Sequence, residues 1–436
     1  MAYFTLTIPR RVTTSGLVLF LLCLMYFITY VDRVNVGTAA PIIKAELGLS
    51  NTDLGLIFSA FAYPYAVFQI IGGLLADKWG PRFTLLVCGL IWAGATALMG
   101  LAGGVMSLFL LRFALGFGEG ATFPTATRAM QSWVPAEERG FAQGITHAFA
   151  RLGNAITPPL VVFLMALLTW RGSFVVLGLV SFVWVVVWYW YYRDDPREHK
   201  GITAEELARL PLRDVKQGAQ KPRIPWRRLV MRMWPVTLTY FCYGWSLWLY
   251  LNWLPSFFKE GYQLDIKNSA LFASGVFFAG VVGDTVGGMI SDRILQNTGD
   301  LQKARRNVIS LSMLGAAACL LGVFFSRDLT VIALLLSAGF FCLELVIGPI
   351  WAVPMDIAPQ YAGTASGLMN FGSAVAAIVS PLVFGLVVDL TGNWTLPFIG
   401  SVALLLLGAA MAFTMHPERR FSDEPVAVSG KPVAAE

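Results

Sequence analysis

Six ionisable side chains interrupt apolar stretches in the N-terminal half of this 436-residue chain. They are two acids, three arginines and one histidine: Asp32, Glu119, Arg33, Arg112, Arg151 and His147. Carboxylates bind and release protons, whereas a guanidinium offers a planar fork of donors that suits an oxyanion. Each charge in a membrane-spanning helix costs at least about 2.5 kcal/mol, so such residues are functional candidates. Together, these side chains suit reversible proton binding next to a bound anion.

Spacing along a helix predicts which of these side chains share a face. Arg112 and Glu119 are seven residues apart, which places them on one face about 10 Å apart, without direct pairing. His147 and Arg151 are four apart and lie on one face of their helix. The alternatives to binding roles are that His147 is a packing histidine and that Arg151 pairs with an acid such as Glu119.

Asp32 and Arg33 are adjacent, so their side chains diverge by about 100° around a helix. We expect one of them to face a binding cavity and the other to reach a neighbouring helix. The alternative is that both sit at the watery end of the helix.

Charge counting links the acids to the arginines. With Asp32 and Glu119 ionised and His147 neutral, the six residues carry three positive and two negative charges. Protonating either acid raises the net charge from +1 to +2, which favours an anion in a medium of low dielectric constant. Proton and anion binding therefore reinforce one another, and thermodynamic linkage makes the effect reciprocal. This predicts coupled proton and anion binding.

The elements that must position these residues are apolar runs. The chain is 56% hydrophobic and 13% charged, with a mean hydropathy of +0.65, unlike a soluble globular protein. About 20 apolar residues cross a bilayer, and we predict twelve such spans. They cover residues 16–37, 53–76, 83–103, 105–127, 140–168, 171–192, 232–257, 268–291, 306–326, 329–353, 363–388 and 394–416.

The basic residues predict the orientation of these spans. With both termini cytoplasmic, inside segments hold 24 Lys or Arg, outside loops hold 5 and spans hold 3. The positive-inside rule favours this arrangement. We predict a six-span bundle over 1–192, a cytoplasmic linker over 193–231 and a second six-span bundle over 232–436. Within the linker, Thr203 and Glu206 form the capping-box signature of a short helix.

An internal repeat relates the two halves. "GGLLAD" at 72–77 matches "GGMISD" at 287–292 with an offset of 215, and this frame aligns Gln69 with Asp284. "RGFAQG" at 139–144 matches "AGTASG" at 362–367 with an offset of 223, which places His147 on Asn370. Parallel repeats of this kind predict a binding site between the halves near mid-membrane.

Several motifs resemble a known family. "GGLLADKWGPR" after span 2 and "RFALGFGEG" in span 4 resemble the major facilitator superfamily. "YVDRVNVGTAAPII" in span 1, "WAVPMDIAP" after span 10 and "GLMNFGSAVAAIVSPLVFGLVVDLTG" in span 11 resemble its anion:cation symporter group. That group includes bacterial galactonate, glucarate and hexuronate carriers and the animal sialin and vesicular glutamate transporters. The resemblance implies an all-α integral membrane fold of twelve helices in two pseudo-symmetric six-helix bundles.

The resemblance also implies roles for individual residues. Asp32 and Glu119 match the protonated acids of the sugar-acid symporters, and Arg33 matches an arginine at the substrate site. Arg112 matches the arginine that couples acid and substrate. Four further residues align with substrate contacts: Tyr30, Tyr65, Trp351 and Asn370. His147 and Arg151 match no family position, and we expect Arg151 to meet a second carboxylate of the substrate.

Other candidates have less specific signals. Tyr243 in the aromatic span 7 is expected in the cavity wall, although such a span also suits an interfacial aromatic belt. Four charged residues at cytoplasmic helix ends are predicted gate residues: Asp77, Arg82, Asp292 and Arg293. Asp284 is expected to join that gate, with proton binding as the alternative. Glu344 has two alternative roles, as a third proton site or as a polar packing partner.

These observations predict a proton-coupled symporter that imports a small carboxylate, such as a sugar acid, by alternating access. An exporter or exchanger of an aromatic or dicarboxylic acid with the same fold is the alternative. No catalytic residue set, metal site, cofactor site or nucleic-acid interface is expected, and an enzyme is excluded. We expect a monomer in the lipid bilayer of a bacterial inner membrane.

Overall fold

The computed structural model describes residues 13–135, 139–210, 225–358 and 361–421, and over these ranges the chain is helical. The helices are α1 (Thr14–Leu47), α2 (Asn51–Ala60), α3 (Ala62–Met99), α4 (Val105–Gly120), α5 (Thr122–Trp133), α6 (Arg139–Tyr191), α7 (Ala204–Arg209), α8 (Trp226–Ser256), α9 (Ile266–Thr298), α10 (Val308–Val323), α11 (Leu329–Glu344), α12 (Ile347–Ile357), α13 (Ala362–Thr391) and α14 (Pro397–Ala412). Shorter turns cover Pro196–Glu198, Phe257–Gly261 and Gln302–Asn307.

The predicted spans do not map one to one onto these helices. α3 and α6 each contain two spans, because the backbone leaves the helical region at Gly80 and Thr169. Spans 2, 4 and 10 are instead divided, at Phe61, Ala121 and between α11 and α12. The sequence predicted continuous helices there, since apolar periodicity does not report a local kink.

Eight helical segments in the described ranges are long and apolar enough to cross a membrane. One of them, Gly144–Tyr191, contains both span 5 and span 6. Span 2 is shortened by its break, span 12 has only 16 helical residues, and span 7 is rich in Trp and Tyr. These three spans therefore fall below a criterion based on unbroken length and hydropathy.

The linker helix forms as predicted. Thr203 is the N-cap of α7, and its hydroxyl accepts from the Glu206 backbone N–H while the Glu206 carboxylate accepts from the Thr203 backbone N–H. The same carboxylate accepts from the Ser15 N–H, and the Thr14 hydroxyl donates to the Gly201 carbonyl at 2.8 Å. The beginning of the linker is thereby fixed to the start of α1.

Within the first half, α1 packs on α6, and α3 packs on α4 and α6. In the second half, α8 packs on α13 and α14, while α11 packs on α9 and α10. The halves meet where α2 packs on α13, α6 on α9, and α1 on α8. The exact bundle boundaries at 192 and 232 stay predictions.

Polar contacts join the two halves at the face that the charge distribution predicts to be outside. Lys44 Nζ lies 2.6 Å from Glu260 Oε2. The Asp389 carboxylate, in the last turn of α13, accepts from the backbone N–H groups of Asn51 at 3.1 Å and Thr52 at 2.6 Å. A carboxylate at a helix N-terminus satisfies free N–H groups and opposes the positive end of the helix dipole. Asp389 therefore holds α2 against the opposite half.

Candidate functional site

Arg33 and Glu119 form a buried ion pair. Arg33 Nε lies 2.7 Å from Glu119 Oε2, and the two side chains are 3% and 0% exposed. α1 and α4 thus bring together two residues that are 86 positions apart. The pair was not anticipated, because the sequence analysis related Glu119 to Arg112 and Arg151 and not to Arg33.

Aromatic rings surround the Arg33 guanidinium. Its carbon lies 4.7 Å from the Tyr30 ring centroid and 4.8 Å from that of Tyr65, two residues that the family resemblance indicated. Phe61 and Phe123 complete the enclosure at 5.3 and 5.2 Å. Aromatic faces attract a cation electrostatically. The two phenylalanines carried no distinguishing signal in the sequence.

Asp32 points away from Arg33, as the helical geometry predicted. Asp32 Oδ2 accepts a hydrogen bond from Ser181 Oγ at 3.1 Å, so the acid faces the second arm of α6. Arg112 is fully buried, and its Nη1 lies 3.4 Å from the Asp32 backbone carbonyl. Arg112 and Glu119 do not pair directly in the structure, in agreement with their spacing. Asp32 therefore lies in a polar layer behind Arg33.

Several atoms of this group lack a hydrogen-bond partner among the described residues. They are Arg33 Nη2, Arg112 Nε and Nη2, Glu119 Oε1 and Asp32 Oδ1. A buried polar group without a partner costs about 1–3 kcal/mol, and more if it is charged. Such groups commonly bind water or a ligand. The site thus presents free guanidinium donors.

A second ionic cluster joins the two halves. Arg151 on α6 lies 3.1 Å from Asp284 on α9 and 3.1 Å from Glu344 on α11. Tyr243 Oη on α8 donates to Glu344 Oε1 at 3.2 Å. Asp284 is therefore at the central cluster and not in a cytoplasmic gate, which corrects the expectation from sequence. The correction arises because the sequence does not show which helix faces Asp284.

The two clusters lie next to each other. The Arg151 guanidinium carbon is 5.9 Å from the Tyr30 ring centroid, and Arg33 contacts the same ring. The charge count must therefore include Asp284 and Glu344. Three arginines and four ionised carboxylates give the combined site a net charge of −1 with neutral His147, instead of the +1 obtained from the N-terminal half alone.

His147 lies among aromatic rings beside these clusters. Its ring is parallel to that of Phe123 at 6.4 Å and is 6.4 Å from that of Trp351. Trp351 Nε1 donates to Tyr240 Oη at 3.1 Å, and Tyr240 stacks on Tyr243. The structure thus connects Trp351 of α12 and Tyr243 of α8 through the ring of Tyr240.

Asn370 contacts the opposite half. Asn370 Nδ2 donates to Gln69 Oε1 at 2.6 Å. The internal repeat aligned Gln69 with Asp284 and His147 with Asn370. The Gln69 contact between spans 2 and 11 is accordingly the pseudo-symmetric counterpart of the Asp284 contact between spans 8 and 5. One interface is neutral, whereas the other carries the charges.

The predicted gate residues lie apart from the central clusters. The Arg82 backbone N–H donates to Asp194 Oδ1 and its Nε donates to the Tyr189 carbonyl. Asp292 lies 3.2 Å from Arg305, which also pairs with Asp356 at 3.1 Å. Arg293 is exposed, and the Asp77 side chain lies outside the described residues. Their gating role stays a prediction.

Comparison with known proteins places this architecture among transporters. A family model described as the Major Facilitator Superfamily matches residues 22–381 and 304–434. The probable sulfoacetate transporter SauU of Cupriavidus necator is 51% identical over 410 residues, covering 94% of this chain and 95% of that protein. The probable L-galactonate transporter of Escherichia coli is 30% identical over 396 residues, covering 90% and 86%.

A solved structure shares the fold. It is a bacterial homologue of the human lysosomal transporter Spinster in an inward-facing, unoccupied conformation. Its TM-score is 0.77 at 16% identity, with coverage of 94% of this chain and 99% of that one. The predicted fold class, an all-α integral membrane protein with twelve helices in two bundles, is confirmed by these similarities.

Proposed function

Because the chain belongs to the major facilitator superfamily, we propose that it is a proton-coupled symporter that imports a small organic anion. Its relatives are transporters, so the chain is a membrane transporter and not an enzyme. The observation that carries the proposal is the Arg33–Glu119 pair at 2.7 Å. An anion that binds Arg33 competes with the Glu119 carboxylate, and protonation of Glu119 removes the competitor.

The remaining acid and arginine of this layer support the same coupling. Arg112 contacts the backbone carbonyl of Asp32, and Arg33 pairs with Glu119, so protonation of either acid makes the layer that holds both arginines more positive. Tyr30 and Tyr65 hold the Arg33 guanidinium toward the site. Substrate contacts are proposed for these residues together with His147, Arg151, Tyr243, Trp351 and Asn370.

We assign the substrate to small acids with two anionic groups, of which sulfoacetate is the leading example. The relative at 51% identity is named for sulfoacetate, which carries a sulfonate and a carboxylate. Arg33 and Arg151, which belong to different ionic clusters, both lie near the Tyr30 ring. Their guanidinium carbons are 4.7 Å and 5.9 Å from its centroid. Two nearby guanidinium groups suit two nearby anionic groups.

The proposed membrane orientation follows the distribution of basic residues. We place both termini in the cytoplasm and the protein in the bacterial inner membrane. We also propose that it works as a monomer. The outer contacts at Lys44 and Asp389 close one end of the interface between the halves. Alternating access then consists of breaking these contacts and forming others at the opposite end.

Thermal stabilisation of the detergent-purified protein tests the assignment. Sulfoacetate, galactonate, dicarboxylates and aromatic acids would be compared at pH 5.5 and 7.5, because a ligand of the native state raises its melting temperature. We expect sulfoacetate to stabilise most, and more at pH 5.5. Stabilisation by a neutral or cationic compound, with none by any acid, would contradict the proposal.

Uptake into proteoliposomes separates the importer from the alternative. A pH gradient, acidic outside, should drive sulfoacetate accumulation that an uncoupler abolishes. Counterflow without net accumulation under the same gradient would favour an exchanger of an aromatic or dicarboxylic acid.

A further inference from the structure

The Arg151 cluster draws its members from four helices of both halves. Arg151 belongs to α6, Tyr243 to α8, Asp284 to α9 and Glu344 to α11. Movement of one half relative to the other must therefore alter these ion pairs. The Arg33–Glu119 pair, by contrast, lies within the first half.

Glu344 is buried by close packing against α9. Its side chain is 0% exposed. A Cβ on Gly280 would lie 3.1 Å from Glu344 Cγ, and one on Gly283 would lie 3.2 Å from Glu344 Cβ, so only glycines permit this approach. The charged and titratable groups that face Glu344 are Arg151 from α6, Tyr240 and Tyr243 from α8 and Asp284 from α9.

One arginine faces two acids in this cluster, which leaves one negative charge uncompensated. The Arg151 side chain is only 7% exposed, and its Nη1 has no hydrogen-bond partner among the described residues. A buried, unpaired carboxylate is costly, whereas its protonated form is not. A free donor and an excess acid thus share one cluster.

We propose that Arg151 binds the second anionic group of the substrate, and that Glu344 takes up a proton to release Arg151 for it. The inference rests on the proposed function. The proton moves from the outer solution to the Glu344 carboxylate and leaves on the inner side together with the substrate. Tyr243 holds the carboxylate in place through its 3.2 Å hydrogen bond.

The charge balance of the site supports one proton at each arginine cluster. The empty site carries −1, and protonating Glu344 together with one acid near Arg33 brings it to +1. A dianion then returns the loaded site to −1, the charge of the empty site. The empty and loaded carriers thus present the same charge to the membrane interior, where a change of charge is expensive.

The first test measures proton stoichiometry in proteoliposomes held at zero membrane potential, from the pH gradient that just balances a fixed sulfoacetate gradient. Glu344→Gln should move one proton fewer per substrate than wild type. Glu205→Gln, an exposed acid of α7, is the control and should match wild type. If wild type shows no proton-dependent uptake, the proposed function fails. If wild type does and Glu344→Gln keeps its stoichiometry, only this inference fails.

Binding provides a second test that needs no transport. Glu344→Gln leaves the Arg151–Asp284 pair in place, and its stabilisation by sulfoacetate should differ less between pH 5.5 and pH 7.5 than that of wild type, because one of the two linked protons is removed. Arg151→Gln should lose most stabilisation by sulfoacetate but keep that by isethionate, a monoanion of similar length in which an alcohol replaces the carboxylate. Equal losses for both compounds, or an unchanged pH dependence in Glu344→Gln, would overturn the assignment.

Discussion

Arg33 Nε donates to Glu119 Oε2 at 2.7 Å, so the arginine assigned to the substrate already has a carboxylate partner. Any anion that reaches this guanidinium must replace Glu119 or share the arginine with it. The second carboxylate oxygen, Oε1, and Arg33 Nη2 both lack partners among the described residues. Competition between an internal and an external anion for one guanidinium is a direct physical basis for proton coupling.

Glu119→Gln should weaken the coupling of transport to the proton gradient. The amide mimics the protonated acid in charge, so the affinity for sulfoacetate should fall less between pH 5.5 and pH 7.5 than it does in wild type. Wild-type affinity should fall with rising pH by up to about tenfold per pH unit for each linked proton. Exchange of labelled sulfoacetate should persist while uphill uptake decreases. Uphill uptake at the wild-type level would contradict the coupling scheme.

Arg33→Lys tests whether the guanidinium fork matters beyond its charge. A lysine keeps the positive charge but loses the planar donors and the stacking on Tyr30 and Tyr65. Hydrogen bonds to charged groups contribute about 1.5–3 kcal/mol, so affinity should drop roughly 10- to 100-fold. Isothermal titration with sulfoacetate measures the change, and Lys44→Arg at the outer face is the control. Wild-type affinity in Arg33→Lys would exclude a bidentate contact.

Much of the architecture was predictable because bilayer thickness, loop charge and the internal repeat each constrain it. The divergence of Asp32 and Arg33 also followed from helical geometry. The side chains that pair with the arginines could not be predicted from the sequence. Glu344 and Asp284 meet Arg151 across the interface between the halves, and one sequence carries no record of which helices face each other there. The rings around Arg33 were equally hidden, since a phenylalanine in a membrane span is unremarkable.

Helix breaks were the other feature that escaped prediction. Prolines stand three residues after two of the breaks, Pro64 after Phe61 and Pro124 after Ala121. A proline cannot donate to the carbonyl four residues before it, which here belongs to the last residue of α2 or α4. Gly116 explains part of the geometry, because a Cβ there would overlap the carbonyl of Phe61. Close approach between α4 and the α2–α3 junction is therefore a tertiary effect that local propensity does not encode.

Gly80 should tolerate no side chain. Its φ of 80° and ψ of 154° fall in a region that is essentially restricted to glycine. A Cβ would also lie 2.5 Å from Asp194 Oδ2. Gly80→Ala should destabilise the protein by about 1–3 kcal/mol, seen as a lower melting temperature. Gly94→Ala, within the helical part of α3 and with no heavy atom within 4 Å of its Cβ, should be neutral or stabilising. Equal melting temperatures for both variants would contradict the strain argument.

Asp389 should control how often the outer contacts open. Its carboxylate accepts from the Asn51 and Thr52 backbone N–H groups and from the Thr52 hydroxyl at 2.6 Å, all belonging to the opposite half. Asp389→Ala removes these charge-assisted hydrogen bonds, of which each contributes about 1.5–3 kcal/mol. Hydrogen–deuterium exchange at the start of α2 should accelerate about tenfold or more. Asp328→Ala is a matched control, because Asp328 caps α11 through Val331 within its own half. Unchanged exchange in Asp389→Ala would show that packing at Gly55, where a Cβ would lie 2.7 Å from the Pro381 carbonyl oxygen, holds the outer contacts closed by itself.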